Sequence, residues 1–91
     1  MNLKLTKGGY SMSFLDFYEK VQFRFSYEGA KELYGFFKEM GVNSNFVKLS
    51  ENYKEFKNWK EAKDYFKMSK AKILENYLLI PCVNGFILEI N

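Results

Sequence analysis

The chain has no histidine, a single cysteine (Cys82), a single proline (Pro81) and a single arginine (Arg24) among its 91 residues. Each scarcity excludes something. Without histidine, the usual imidazole base, zinc ligand and triad partner are missing. One cysteine forbids an intramolecular disulfide and any cysteine-based zinc site, and nothing points to an oxidising compartment. Cys82 sits in the apolar run Leu78-Leu79-Ile80-Pro81-Cys82-Val83, where a thiol reads as a small buried hydrophobe. No apolar run approaches the ~18–20 residues that span a bilayer, and no secretory h-region is present, so a cytoplasmic protein is expected, without cofactor or metal. Walker and dinucleotide patterns are absent, and Gly8-Gly9 is too short to cradle a phosphate. The acids are scattered among the bases, with no pair placed for acid/base work. The expectation is a binding protein rather than an enzyme.

What is abundant is aromatic: ten Phe, seven Tyr and one Trp in a chain that is 47% apolar. Aromatics bury the most area per residue, so a short chain can close a core with few of them. The joint excess of Phe, Tyr, Lys and Asn is also what translation of an AT-rich genome produces. Length and composition give one domain over 1–91, with the core expected in 13–91. Lys7-Gly8-Gly9 precedes Met12 at the distance of a ribosome-binding sequence encoded as AAA-GGA-GGN. Residues 1–11 therefore read as translated leader; the alternation of Leu3 and Leu5 makes a short first strand the other reading.

Ser13 caps a short helix through Phe14, Leu15, Phe17 and Tyr18. Val21-Gln22-Phe23-Arg24-Phe25 alternates as a half-buried strand does, placing Arg24 on its outer face. Ser26 opens the longest helix, with Ala30, Leu33, Tyr34, Phe37 and Met40 on one side and Gly41 as its stop; Gly29 is unhelpful near its start. Phe46 to Leu49 reads as a second strand and residues 50–57 as irregular. Asn58-Trp59-Lys60-Glu61 has the form of a capping box. It opens a helix with Trp59, Ala62, Tyr65 and Phe66 inward, and Ser69 begins another short turn carrying Ile73 and Leu74. Asn84-Gly85 between two β-rich runs predicts a type I′ hairpin, and Pro81 confines its strand to a sheet edge or a bulge. The sum is an α+β domain: a small, mainly antiparallel sheet of about four strands, with one long and two or three short helices packed on one face and a C-terminal β-hairpin.

Charge is unevenly spread. Lys54 to Lys72 holds seven lysines against Glu55, Glu61 and Asp64, a net of +4; the whole chain being +3, the remainder carries −1. On a helical wheel Lys60, Lys63 and Lys67 fall within about 60° of each other beside the apolar side. Such a stripe is a footprint for nucleic-acid phosphates or an acidic protein surface, and equally the solvated side of an amphipathic helix. Arginine's near absence argues against base reading by its planar fork. Tyr53 and Phe56, in the irregular approach, are expected to be exposed beside the stripe, with Glu51 and Glu55 as polar partners; Trp59 is expected in the core. The candidate partner-binding residues are thus Tyr53, Phe56, Lys57, Lys60, Lys63 and Lys67.

Residues 21–91 resemble a group of small accessory proteins carried by phages and mobile elements of low-GC Gram-positive bacteria. The matching stretches run from Phe25-Ser26-Tyr27-Glu28-Gly29-Ala30 to Tyr34, through Tyr53-Lys54-Glu55-Phe56 and Trp59-Lys60-Glu61-Ala62, to Asn84-Gly85-Phe86-Ile87-Leu88. Their common features are structural, and this chain departs from the group in being basic through the middle. The resemblance implies a stoichiometric inhibitor of a host defence protein, such as a CRISPR effector, acting in the host cytoplasm as a monomer or homodimer. The alternatives are a small nucleic-acid-binding accessory or regulatory protein using the lysine-rich helix, and a dimerisation module pairing through the edge strand at Pro81.

Overall fold

The computed structural model describes residues 12–42 and 45–91. In chain order the elements are α1 (Phe14–Val21), α2 (Tyr27–Glu39), α3 (Phe46–Ser50), β1 (Tyr53–Phe56), α4 (Trp59–Phe66), α5 (Lys70–Asn76), β2 (Leu79–Cys82) and β3 (Gly85–Glu89). The α+β class and the closing hairpin stand. The leader and first-strand readings of residues 1–11 lie outside the described residues.

The helix starts follow the sequence. Ser13, Ser26, Asn58 and Ser69 each accept the backbone N–H three residues on, and Asn45 does the same for α3. Gly41 stops α2 with φ +68°, and Val42 N–H then reaches back to the Phe37 carbonyl at 3.1 Å, the wrapped ending that a glycine permits.

The strand assignments need correction. Val21–Phe25 is not a strand: Val21 closes α1, and the N–H groups of Arg24 and Phe25 both bond to the Val21 carbonyl. Val21 and Phe25 are buried four residues apart while Phe23 between them is 78% exposed, which is helical and not alternating burial. Phe46–Leu49 is helix α3, burying Phe46 and Ser50 at the same spacing. The segment read as irregular supplies β1. Its alternating charges hid it, because each finds a partner outside any apolar pattern. Lys54 lies over the rings of Phe56 and Tyr65, and Glu55 caps α2.

Among the described residues the sheet has three strands, against about four expected, in the antiparallel order β1-β3-β2. The helices, one long and four short, cover both faces rather than one. Ile80 and Ile87 face a core built with Phe17, Val21, Leu33, Phe37 and Phe46 of α1–α3. Phe56, Phe86 and Leu88 face a second core with Ala62 and Ile73 of α4 and α5. Hence Phe86, Ile87 and Leu88 are all buried, the unbroken apolar run of a central strand covered twice.

The hairpin turn is displaced by one residue. Cys82 pairs with Gly85, leaving Val83-Asn84 as the two-residue connection, and neither Asn84 nor Gly85 has positive φ, so the turn is not type I′. Gly85 is required for a different reason: a Cβ there would overlap the Phe56 carbonyl oxygen and stand 3.2 Å from Lys57 Cα. Gly29 is likewise no defect. A Cβ on it would overlap the Glu55 carboxylate, which accepts from Ser26 N–H at 2.8 Å and Ser26 Oγ–H at 2.7 Å. This strand residue thereby reinforces the N-terminus of the longest helix, where negative charge is favoured.

Candidate nucleic-acid interface and the cleft at the sheet edge

Two short helices and the three residues that join them hold five lysines against Glu61, Asp64 and Glu75, a net of +2. α4 ends at Phe66, and Lys67 follows in the left-handed conformation (φ 60°, ψ 40°), its N–H bonded to the Lys63 carbonyl. That residue reverses the chain, and two positions later Ser69 caps α5, accepting from Lys72 N–H at 3.3 Å. After α5 the chain enters the β2–β3 hairpin, and β3 pairs with the strand that precedes α4. Ala62 and Ile73 hold the two helices on the shared core.

Lys60, Lys63, Lys67, Lys70 and Lys72 are all exposed on this unit. Lys60 bonds Asp64 at 3.1 Å, an exposed pair one helical turn apart that water screens and that holds neither side chain firmly. Lys70 sits 5.0 Å from the Trp59 ring centroid, and Trp59 stacks on Phe86 at 4.4 Å. The indole is half-buried, consistent with a core role, and it anchors one cation beside the stripe.

The six predicted contact residues are not brought together. Lys60 and Lys63 lie on α4 and Lys67 is its left-handed C-cap, all three exposed. Phe56 is fully buried, which overturns its expected exposure. Three positions apart on one strand, Tyr53 and Phe56 face opposite sides of the sheet. Tyr53 is half-buried against Phe36 and Phe37, at 6.4 and 5.5 Å between centroids. Its phenol is pushed above its ordinary 10.0 by burial first and by Glu89, its cross-strand neighbour, second. Lys57 lies away from the stripe; its backbone N–H donates to Glu61 Oε1 at 3.0 Å, and both residues line a cleft.

That cleft is what the sequence reading missed. Two hollows of about 700 and 400 Å³ lie on either side of Phe23, sharing Phe23 and Arg24 as a common wall. Arg24 does not point outward from a strand. It donates to the Ser50 carbonyl (3.1 Å) and Ser50 Oγ (2.7 Å), fixing the turn that presents Phe23. Tyr27 and Tyr65 add exposed rings nearby, at 46% and 52%. No decisive signal for this was present in the sequence, since Val21, Phe23 and Phe25 fit strand alternation as well as Val21 and Phe25 fit a helical spacing.

The chain matches no protein-family model, no curated protein and no solved structure. Among the described residues no group of three His, Cys, Asp or Glu side chains is placed to hold a metal ion, and no helix is long and apolar enough to cross a membrane. Cys82 is half-buried, and its thiol is raised from 9.0 to about 11, by burial first and then by Glu55, Glu32 and Glu28. It stays protonated where a nucleophilic thiolate would be needed.

Proposed function

We propose that the protein is a small DNA-binding accessory or regulatory protein that presents α5 to a duplex groove and uses the surrounding lysines against phosphates. The observation that carries this reading is the α4–turn–α5 unit. Two short helices joined through Lys67-Met68-Ser69 and backed by a hairpin carry four exposed lysines, with Lys67 in the turn as a fifth. Two short helices joined by a three-residue turn are also the parts of a helix-turn-helix element, so the functional step is an analogy at the level of the motif. Ammonium groups act as point charges without arginine's fork, which suits positioning on the backbone better than reading bases.

Fluorescence anisotropy with a labelled duplex of about 20 base pairs tests it, because each phosphate neutralised contributes a slope of about −0.9 in log K against log salt. Four or five contacts give a slope near −4, and Lys63→Glu with Lys67→Glu reduces its magnitude by about 2. Absence of binding at low salt, or binding unchanged by the double charge reversal, refutes the proposal. The second reading is the stoichiometric inhibitor of a host defence effector, CRISPR effectors included, that the resemblance to phage accessory proteins implies. It is favoured by Phe23, whose 78% exposure between two hollows suits a protein contact. A purified effector of the native host, inhibited at one-to-one stoichiometry by wild type and not by Phe23→Ala, is its test.

A further inference from the structure

Strand β3 is central, so among the described residues the sheet has two open edges, and they are not equivalent. Ile90 N–H donates to the Asn52 carbonyl and Glu89 N–H to the Leu78 carbonyl. Since bonded and non-bonded pairs alternate along an antiparallel ladder, both registers follow. Lys54 and Phe56 turn their main-chain groups toward β3, while those of Tyr53 and Glu55 face away from the sheet. On β2 the outward residues are Leu79 and Pro81. Pro81 has no N–H to offer, so that edge is blunted against pairing. β1 has no such block: among the described residues, the outward N–H and carbonyl groups of Tyr53 and Glu55 have no hydrogen-bond partner. The edge at Pro81, expected to pair with a partner, is thus the weaker of the two.

The β1 edge also forms the floor of the cleft. Glu55 lines the larger hollow and Tyr53 the smaller, with Phe23 between them. We propose that this edge is a docking site for an extended segment of a partner protein, which adds to β1 as a fourth strand. Two donors and two acceptors spaced along one strand match an extended main chain, and the hollows on either side of Phe23 receive its side chains. The hollows differ in charge, which specifies the segment further. The larger carries Glu28, Glu55 and Glu61 against Arg24 and Lys57; the smaller carries Arg24 and Lys54 against Glu51. The occupant has an aliphatic or aromatic centre, a basic residue over the larger hollow and an acidic one over the smaller. This site is independent of DNA binding.

The probes are two capped pentapeptides, Lys-Val-Tyr-Val-Glu and its reverse Glu-Val-Tyr-Val-Lys, which cover both strand directions. Amide hydrogen exchange of the full chain is followed by NMR with each peptide at about 1 mM. One of the two slows the Tyr53 and Glu55 amides by about tenfold or more, and its isomer N-methylated at alternate residues does not. The site is refuted if neither peptide protects these amides, or if N-methylation makes no difference. Assignment to a partner is overturned if the amides are already slow in the free chain and speed up in a variant starting at Met12, since residues 1–11 then fill the edge. It is equally overturned if protection grows with protein concentration alone, which identifies a second copy as the occupant.

Discussion

Replacing Gly85 by alanine separates two accounts of the same residue. In the Asn-Gly turn that the sequence suggests, the glycine serves backbone conformation. In the structure its φ is ordinary, and the obstacle to a side chain is the main chain of β1, with the Phe56 carbonyl oxygen overlapped and the Phe56 carbonyl carbon at 3.3 Å. Those atoms cannot rotate aside as a side chain can, so β1 must shift from β3 at the Phe56–Phe86 pair. Overpacking of this kind costs about 1–3 kcal/mol, and the lower freedom of alanine in the unfolded chain returns about 0.4–1 kcal/mol. The net is a loss of about 1.3 kcal/mol, which lowers Tm by roughly 5–10 °C in a domain of this size. Urea unfolding followed by Trp59 fluorescence is the assay, since the indole stacks on Phe86 beside the disturbed pair. Gly35→Ala is the control. That site is exposed inside α2 with nothing within 4 Å of a new Cβ, so the variant gains about 0.5–1 kcal/mol. A Gly85→Ala protein as stable as wild type refutes the close-approach argument.

Other consequences can be measured on the same preparations. Arg24→Ala removes both hydrogen bonds to Ser50 and destabilises by about 2 kcal/mol, the usual cost for bonds to a charged group, read as a lower urea midpoint. Cys82 reacts with iodoacetamide at pH 8 on the order of 100-fold more slowly than an unfolded thiol, because its folded value near 11 leaves little thiolate; equal rates refute this. The same raised value sets a pH trend. The unfolded chain releases the thiol proton first, so this contribution to stability is complete below about pH 9 and is lost as pH rises toward 11. Cys82→Ser flattens that part of the stability curve.

Legibility in the sequence followed the range of the forces involved. Caps are local, satisfied within three residues, and Ser13, Ser26, Asn58 and Ser69 were all readable in advance. The helix stop at Gly41 was too. What failed depended on distant partners. β1 looked irregular because Glu55 answers to Ser26, 29 positions away, and Lys54 to Tyr65. Gly29 looked like a flaw until the carboxylate occupying its missing side chain was seen. Five residues of alternation at Val21–Phe25 cannot distinguish a strand from a helix end, and only burial on the far side of the molecule decides. The lysine spacing of α4 was visible as a periodicity. Phe56 was misplaced with β1, and the hollow beside Phe23 is made by segments no local pattern joins.

The placement of β3 has a consequence for biosynthesis. It contributes Ile87 to one core and Phe86 and Leu88 to the other, and it holds β1 and β2 together, yet it follows every other described element in chain order. A nascent chain still inside the ribosomal tunnel at residue 85 has neither core closed and every helix waiting on a strand that has not emerged. Folding is therefore expected to be all-or-none, because both cores share this strand. A chain truncated before Gly85 lacks the strand common to both cores.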